Sequence, residues 1–384
     1  MPKWGKALAC VDIFAGAGGL SLGFEAAGFE ILVANDFDDY CAATFRAAHP
    51  RAKWLSGPIQ EIGAGAFLEA ANLDVGELDC LIGGPPCQAF SVYNHQRGMH
   101  DERSGLFREY LRIVAGLRPK FVVMENVTGM TSVEEGLAVR EIHRGLEDLG
   151  YRVEHRILKA EEYGVPQERR RIFFIGSRLG GPIPWPRLTH GPDRFQPYVT
   201  VWDAIGDLPR LEVGEGEEER PYAQGPLSEY QKLLREGSNT LFNHVAPYLA
   251  PVNRERLKYI PQGGNWRDIP EWLLPAGMRR ARRSDHTKRY GRLHPEGLSS
   301  TILTKCDPHW GAFFHPTQDR SLTVREAARL QSFPDRIRFL GPRVEQYRQV
   351  GNAVPPLLAR AVASAIAENL SCMTQALEEA AYAV

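Results

Sequence analysis

The stretch Ala7-Leu-Ala-Cys-Val-Asp-Ile-Phe14 is a short apolar run, and Ala15-Gly-Ala-Gly-Gly19 follows it directly. The run has the length and composition of a buried β-strand. The next residues, 20–27, carry apolar side chains at helical spacing. The sequence therefore begins with a predicted strand, a glycine-rich turn and a helix.

The same alternation continues along the first half of the chain. Further strands are predicted at Glu30–Ala34, Leu78–Ile82, Phe121–Met124 and Arg171–Gly176, with helical patterns between them. Strands that alternate with helices favour an α/β fold with a doubly wound, mostly parallel sheet. Ligands of such sheets bind at the carboxyl ends of the strands.

This rhythm stops after about Pro182, where proline and glycine become frequent. Regular helical patterns return at Thr323–Leu330 and Pro355–Leu370. The 384 residues exceed the usual size of one compact core. We therefore expect a first domain at 1–187, a smaller irregular domain at 188–300, and a return to the first domain at 301–384.

The composition is typical of a soluble globular protein, with 43% hydrophobic and 24% charged residues. No run of apolar residues is long enough to span a bilayer, so no membrane partner is expected. The six cysteines lack CxxC spacing, which argues against a metal site and a disulfide framework. These features fit a reducing, cytoplasmic location.

The net charge of −1 hides a basic stretch between Asn253 and Leu293. Four acids, Glu255, Asp268, Glu271 and Asp285, oppose eleven Lys/Arg there, which leaves a net charge of +7. The cations are Arg254, Arg256, Lys258, Arg267, Arg279, Arg280, Arg282, Arg283, Lys288, Arg289 and Arg292. The stretch fits either a nucleic-acid contact or a solvated face without a ligand.

The glycine-rich turn of residues 15–19 is compatible with a dinucleotide, a nucleoside or a tight bend without a ligand. Asp36 lies about twenty residues further on, after the second predicted strand. A carboxylate at that position binds ribose hydroxyls in nucleotide-binding sheets. Adenosine binding is the favoured interpretation, and a helix cap is the alternative for Asp36.

Gly83-Gly-Pro-Pro-Cys-Gln-Ala-Phe-Ser91 directly follows a predicted strand. Two prolines stiffen the approach to Cys87, which favours an accessible nucleophile over the inert buried cysteine that is more common. Glu125, in Glu125-Asn-Val, closes another strand and is a candidate acid. A solvated loop carboxylate is its alternative.

Gln167-Glu-Arg-Arg-Arg171 is predicted to begin the next strand. Side chains alternate between the two faces of a strand, so Arg169 and Arg171 are expected to point the same way. Two guanidinium groups that point together are candidate site residues, and a surface cluster of ion pairs is the alternative.

In these motifs the sequence resembles the cytosine-C5 DNA methyltransferases of bacterial restriction-modification systems. The shared blocks run in order from Asp12 to Pro356. They are Asp12-Ile-Phe-Ala-Gly-Ala-Gly-Gly, Gly84-Pro-Pro-Cys-Gln, Glu125-Asn-Val, Gln167-Glu-Arg-Arg-Arg, Leu322-Thr-Val-Arg-Glu-Ala-Ala-Arg-Leu-Gln-Ser-Phe-Pro-Asp335 and Gln349-Val-Gly-Asn-Ala-Val-Pro-Pro356. The resemblance implies a Rossmann-like catalytic and cofactor-binding domain at 1–187 and 301–384, and a target-recognition domain at 188–300.

The resemblance also implies the chemistry. Cys87 attacks C6 of a flipped cytosine while Glu125 bonds N3, which activates C5 toward the methyl group of S-adenosylmethionine; S-adenosylhomocysteine is the product. Arg171 bonds the cytosine O2, and Arg169 supports the site and favours the Cys87 thiolate. A mobile loop at 91–104 closes over the base. No metal is required.

The resemblance assigns further residues to ligand contacts. The expected cofactor contacts are Phe14, Gly16, Gly18, Gly19, Leu20, Asp36, Phe37, Ile59, Leu106 and Asn352. The expected DNA contacts are Gln88, Ser91 and Thr301, with Arg279, Arg280, Arg282, Arg283, Arg289 and Arg292 from the basic stretch.

One block departs from the family pattern. Family members usually have Gly-Asp-Ile, whose Asp binds the adenine, where this chain has Gly57-Pro58-Ile59. We expect Ile59 and Phe14 to pack on the two adenine faces, and the adenine amino group to be bonded more weakly or in another way.

The implied partner is double-stranded DNA, bound by a monomer, with a separate restriction endonuclease acting on the same site. A transfer-RNA cytosine methyltransferase, an inactive DNA-binding homologue and a nicotinamide-dependent dehydrogenase are the rival classes. The dehydrogenase explains only the glycine turn and Asp36. Spacing does not predict the recognition sequence, the modified cytosine or a preference for hemimethylated DNA.

Overall fold

The computed structural model describes residues 7–86, 105–132, 136–282, 284–285 and 288–382, with side chains up to residue 375. The chain divides into two compact units. Unit 1 contains residues 1–159, 170–188 and 356–384, and unit 2 contains residues 160–169 and 189–355.

Seven of the first eight described strands form the sheet of unit 1. The eight strands are β1 (Leu8–Ile13), β2 (Phe29–Asp36), β3 (Lys53–Ser56), β4 (Cys80–Gly83), β5 (Phe121–Val127), β6 (Arg152–Lys159), β7 (Gln167–Glu168) and β8 (Arg170–Ser177). The strand order is β3-β2-β1-β4-β5-β8-β6, and β7 belongs to unit 2.

The sheet confirms the predicted fold class. The first five strands in the order are parallel, whereas β8 runs antiparallel to both β5 and β6. Because β1 pairs with β2 on one side and with β4 on the other, the direction of winding reverses there. Such a reversal opens a crevice at the carboxyl ends of the two strands, where ligands bind.

Within the described residues, five α-helices connect the strands of unit 1. They are α1 (Gly19–Ala26), α2 (Asp39–Ala48), α3 (Ala64–Ala71), α4 (Leu106–Leu117) and α5 (Leu137–Asp148). Strand β4 is buried along its whole length, as expected of a central parallel strand. The fully buried Tyr110 of α4 donates its hydroxyl to the carbonyls of Leu81 and Val123, both at 3.0 Å. This anchors α4 on β4 and β5.

Unit 2 is built from short elements, in agreement with the irregular pattern after Pro182. Its helices are α6 (Val201–Ile205), α7 (Glu229–Leu234), α8 (Pro251–Leu257), α9 (Ala276–Arg279), α10 (Val324–Leu330) and α11 (Arg343–Asn352). Strands β9 (Gly216–Pro221) and β10 (Thr240–Val245) form an antiparallel pair, and β11 (Ser299–Ser300) pairs with β7.

The block at 322–335 forms a buried, charged core of unit 2. Thr323 and Glu326 form a reciprocal capping box that starts α10. The Arg329 guanidinium is fully buried and paired with Asp335 at 2.7 Å and with Asp207. Removing one member of a buried pair typically costs about 3–5 kcal/mol, because the other charge loses its partner. This block therefore holds unit 2 together.

The compact units do not coincide with the predicted domains. The chain passes from unit 1 to unit 2 after Leu188, whereas the predicted boundary lies after Arg187, and residues 160–169 and 301–355 belong to unit 2 rather than to the first domain. Only residues 356–384 return to unit 1. The reason is the buried pairing of α10 with the 200–210 region, which pattern analysis does not reveal. The functional division at residues 188–300 stays a prediction.

Helix α12 (Pro356–Tyr382) returns the chain to unit 1 and packs against α1. A Cβ at Gly23 of α1 would overlap Ala359, so small residues let the two helices approach closely. Among the described residues, the stretch Arg343–Gln375 is long and apolar enough to cross a membrane, contrary to expectation. However, 61% of its apolar window is buried inside the protein, as in a core helix, so this is weak support for a membrane span.

Candidate active site

The glycine-rich turn lies at the carboxyl end of β1. Gly18 adopts a left-handed conformation with φ 84° and starts α1, and its N–H donates to the Ala15 carbonyl at 2.9 Å. Gly16 also has positive φ, and a Cβ there would meet open space. The predicted contacts Gly19 and Leu20 follow in the first turn of α1. A ligand can therefore approach the backbone at Gly16 closely.

Phe14, just before this turn, has φ 58°, which is unusual for a residue with a side chain. Its ring is partly buried and packs against the hydrophobic core of unit 1. Leu106, the first residue of α4, packs against the same core. Both predicted cofactor contacts thus belong to unit 1 and keep some exposed surface.

Asp36 ends β2 beside the glycine turn. Its Oδ2 accepts the N–H of Gly16 at 2.9 Å, and its Oδ1 accepts the N–H of Asp38 at 3.0 Å. Burial raises the pKa of Asp36, while these backbone N–H groups oppose the rise. A carboxylate has about four acceptor sites, so acceptor capacity remains for a ligand hydroxyl. The neighbouring Phe37 is 67% exposed and available for stacking.

The Gly57-Pro58-Ile59 segment is held by Asn35, a residue that sequence reasoning missed. The buried Asn35 side chain donates to the carbonyls of Leu55 at 2.8 Å and Gly57 at 2.9 Å. Pro58 starts a short 3₁₀ helix, and Ile59 is only 3% exposed within the core. The position of Asn35, at a strand end just before Asp36, is the only sequence signal for it.

Glu125 and Arg171 form a largely buried ion pair across neighbouring strands. Glu125 lies in β5 and Arg171 in β8, with Nε of Arg171 2.9 Å from Oε1 of Glu125. Burial lowers the pKa of Arg171, and the Glu125 carboxylate opposes that shift. Because β5 and β8 are antiparallel, the end of one strand meets the start of the other. The structure thus brings two predicted catalytic residues together.

The segment that leads to Cys87 is fastened beside Glu125. A Cβ at Gly84 would lie 3.2 Å from Oε2 of Glu125, and Asn126 donates its side-chain amide to the Pro85 carbonyl at 3.1 Å. Sequence reasoning did not select Asn126 as a site residue. The predicted Cys87, Gln88 and Ser91, and the predicted mobile loop at 91–104, lie outside the described residues.

Arg169 does not lie in the same strand as Arg171. Strand β7 ends at Glu168 and β8 begins at Arg170, so the expected continuous strand and its alternation are wrong. Arg169 belongs to unit 2, where its fully buried guanidinium donates to the carbonyls of Ile302 at 3.2 Å, Gly351 at 3.0 Å and Ala353 at 2.8 Å. These bonds give Arg169 a bracing role in unit 2.

Two other predicted contacts also belong to unit 2. Thr301 donates its hydroxyl to the Glu168 carbonyl at 2.6 Å, beside the short β7–β11 ladder. Asn352 is the exposed last residue of α11. Within unit 2, Arg169 donates to the carbonyls of Ile302 and Gly351, which are the chain neighbours of Thr301 and Asn352.

The arginines of the basic stretch fall into different environments. Arg279, Arg280 and Arg282 are exposed, whereas Arg283 lies outside the described residues. Arg292 is largely buried and donates to Asp319 at 2.6 Å and to the carbonyls of His315 and Ile260, both at 3.2 Å. The partly buried guanidinium of Arg289 covers the ring of Trp310 at 4.9 Å. Burial and internal bonding favour a structural role for Arg292.

Comparison with known proteins agrees with this geometry. The profile of the C-5 cytosine-specific DNA methylase family matches residues 8–368. The chain is 35% identical to the type II methyltransferase M.AgeI of Thalassovita gelatinovora, over 94% of this chain and 99% of that protein. It is 37% identical to the type II methyltransferase M1.HphI of Haemophilus parahaemolyticus, over 94% of this chain and 86% of that protein.

A solved structure is similar along the whole chain. It is that of a DNA modification methyltransferase encoded within an Escherichia coli prophage, with a TM-score of 0.72 and 26% identity. The alignment covers 95% of this chain and 100% of that one. The sheet of unit 1 thus has the architecture of a methyltransferase.

Together, the sheet, the buried Glu125–Arg171 pair and these matches define a DNA methyltransferase that acts on cytosine. The chain belongs to the C-5 cytosine-specific DNA methylase family. It is a DNA (cytosine-5)-methyltransferase with bacterial type II enzymes among its relatives. The family expected from the sequence is confirmed.

Proposed function

We propose that the protein transfers the methyl group of S-adenosylmethionine to C5 of a cytosine within a specific double-stranded DNA sequence, and releases S-adenosylhomocysteine. The observation that carries this proposal is the Glu125–Arg171 pair at 2.9 Å, with Gly84 and Pro85 of the Gly-Pro-Pro-Cys segment fastened beside it. The Glu125 carboxylate, the Arg171 guanidinium and the segment that leads to Cys87 therefore lie together at one end of the sheet.

The residues of unit 1 fit S-adenosylmethionine. Gly16 leaves open space, Asp36 has acceptor capacity for the ribose hydroxyls, and Phe37 exposes a ring for the adenine. Phe14, Gly18, Gly19, Leu20, Ile59 and Leu106 would complete this site. When bound, the cofactor supplies an electrophilic methyl group.

The side chains of this chain prepare the cytosine. C5 of cytosine is a poor nucleophile, so Cys87 attacks C6 and forms a covalent bond that moves electron density to C5. Glu125 bonds N3, and Arg171 stabilises the charge that develops at O2. After methylation, removal of the C5 proton and departure of the Cys87 sulfur restore the aromatic ring.

A stacked cytosine does not expose its C5 and C6 atoms to an enzyme, so the base must leave the helix. We assign Gln88, Ser91 and Thr301 to contacts with the DNA around the flipped base, and the 91–104 segment to its enclosure. Arg169 supports the site indirectly, because it braces the segment that precedes Arg171 through three carbonyl groups.

The relatives support a proposal for the biological setting. M.AgeI and M1.HphI are both type II methyltransferases. We infer that this protein is likewise the modification enzyme of a restriction-modification system, acting as a cytoplasmic monomer. A separate endonuclease would cleave the same sequence when it is unmethylated.

The proposal is tested in two stages. Bisulfite sequencing of a plasmid from cells that express the protein first identifies the methylated site. A duplex with 5-fluorocytosine at the target position is then incubated with protein and S-adenosylmethionine. We expect a denaturant-resistant complex, because fluorine does not leave C5 as a proton does and the Cys87 adduct is trapped.

Cys87→Ser should abolish both the complex and methylation, whereas Cys372→Ser, which changes an exposed cysteine of α12, should retain both. Trapping by Cys87→Ser would overturn the assigned nucleophile. Methylation of transfer RNA in place of duplex DNA would overturn the assigned substrate.

A further inference from the structure

A turn beyond the predicted recognition domain is fastened to the basic stretch. The N–H of Tyr290 donates to the Pro308 carbonyl at 2.6 Å, and the N–H of Gly291 donates to the Gly311 carbonyl at 3.3 Å. Both carbonyl groups belong to the turn at residues 305–311. Gly291 in turn accepts the N–H of Phe314 at 3.0 Å. Residues 289–292 and 305–314 are therefore one structural piece of unit 2.

Tyr290 stands at the centre of this piece in an unusual conformation. It has φ 51°, a left-handed conformation that a bulky side chain rarely adopts. The residue is 4% exposed, belongs to the hydrophobic cluster of unit 2, and its hydroxyl lies 3.0 Å from Nδ1 of His309. Backbone strain held by packing is common at functional sites. Here the Tyr290 backbone sets the direction of residue 289, and the Tyr290 hydroxyl holds the side chain of His309.

These constraints leave a tryptophan on the surface beside a cation. Trp310 is 47% exposed, with the Arg289 guanidinium 4.9 Å from its ring centroid and the His309 ring edge-on to it at 4.9 Å. An arginine held against an aromatic ring loses little further freedom when it binds a partner. A half-exposed indole offers a flat surface on which a nucleic-acid base stacks.

The surrounding charge favours DNA over a protein partner as the occupant. The stretch at 253–293 has a net charge of +7, and Arg280, Arg282 and Lys288 in it are exposed. Within the described residues, Trp272 is an even more exposed tryptophan of the same unit, but its ring contacts that of Tyr259. Trp310 instead combines an exposed ring with a guanidinium.

We propose that Trp310 and Arg289 form a base-reading pair for the target duplex. Trp310 stacks on a base of the recognition sequence, and Arg289, held beside it, donates to the edge of an adjacent guanine. The recognition surface then extends past Ser300 to Trp310. This inference rests on the proposed function, because it assigns part of the specificity of that same DNA methylation.

The test compares three variants on the cognate duplex, found by bisulfite sequencing, and on a scrambled duplex of equal length. Trp310→Ala should weaken affinity for both duplexes by about tenfold to a hundredfold, because base–aromatic stacking tolerates any base. Trp310→Phe should retain most of the affinity, since a smaller ring still stacks. Trp272→Ala, the matched control, should leave both affinities unchanged.

Arg289→Lys separates base recognition from the effect of charge. Lysine keeps the positive charge but does not form the bidentate hydrogen bonds that arginine makes with guanine. In this variant, the methylation rate at sites altered at one base pair, divided by the rate at the cognate site, should be higher than in the wild type. Unchanged affinity of Trp310→Ala for both duplexes, or wild-type site choice by Arg289→Lys, would overturn the base-reading pair.

The two proposals fail in different ways. If the wild-type protein does not methylate cytosine in duplex DNA, the proposed function is wrong. If the wild type is active and Trp310→Ala, with an unchanged melting temperature, binds and methylates the cognate duplex normally, only the base-reading pair is wrong.

Discussion

The imidazole of His49 occupies the space that a side chain at Gly18 would need. A Cβ at Gly18 would overlap Nε2 of His49 and lie 3.1 Å from Cδ2 of Phe45. His49 is fully buried at the end of α2, its Nδ1 lies 3.0 Å from Oε2 of Glu25 in α1, and its ring packs on Phe45. His49 thus supports the glycine turn from behind and joins it to two helices.

Gly18→Ala should weaken S-adenosylmethionine binding by about tenfold, because the new methyl group overlaps His49 and the left-handed backbone costs a side chain about 1–2 kcal/mol. Isothermal titration calorimetry measures the affinity. Gly63→Ala is the matched control, since Gly63 has φ −78° and open space around it. The double variant Gly18→Ala/His49→Ala should recover part of the loss. Wild-type affinity of Gly18→Ala would contradict the crowded turn.

Pro58→Asp should strengthen S-adenosylmethionine binding. The Pro58 backbone has φ −65° and ψ 137°, which aspartate also adopts, and Asn35 holds the segment independently of residue 58. The added carboxylate can accept the adenine amino group, a hydrogen bond worth about 0.5–1.5 kcal/mol. Calorimetry on both proteins checks this. An unchanged or weaker affinity would mean that adenine is bonded in another way.

Asp12 should make the stability of the protein depend on pH. The carboxyl is fully buried beside Ser21, and burial raises its pKa to about 8. The folded protein therefore holds the proton more tightly than the unfolded chain. The free energy of unfolding should then fall as pH rises toward 8, by up to about 1.4 kcal/mol per pH unit, and level off above the folded-state pKa.

Asp12→Asn should remove this slope. Urea unfolding of the wild type and the variant at pH 6, 7, 8 and 9 measures the difference, which should grow in favour of the variant up to about pH 8. Asp74→Asn changes an exposed aspartate of unit 1 and should leave the slope as it is. Parallel pH curves for the wild type and Asp12→Asn would refute the raised pKa.

Arg282→Ala and Arg292→Ala should affect DNA binding and stability in opposite ways. The exposed Arg282 is a candidate phosphate contact, so its loss should weaken binding to all duplexes and reduce the salt slope by about one unit. Arg292 bonds three protein groups, so its loss should lower the melting temperature and leave the salt slope unchanged. The reverse pattern would show that Arg292, and not Arg282, faces the DNA.

Local patterns in the sequence predicted the parts of the fold that depend on neighbours along the chain. The apolar run before Phe14, the glycines after it and the next strand were predicted correctly, because each signal spans only a few residues. The nucleotide contact of Asp36 stays a prediction. Strands at the sheet centre were also predicted well, since burial on both faces makes them continuously apolar.

The sequence also contained the ordered blocks from Asp12 to Pro356, which were enough to identify the family. Strands β3 and β6 were not predicted, because edge strands carry more exposed and polar side chains. The break between β7 and β8 was missed for a related reason: Arg169 bonds to distant carbonyls in place of a strand ladder.

Only the tertiary structure decided which distant residues meet. His49 lies behind Gly18, Asn126 holds Pro85, and Trp310 lies beside Arg289, although each pair is separated by 21 to 41 residues along the chain. No local pattern predicts such contacts, because they depend on how strands and turns pack around the cores of the two units. The sequence by itself determined the family and its chemistry, and the packing decided which side chains support them.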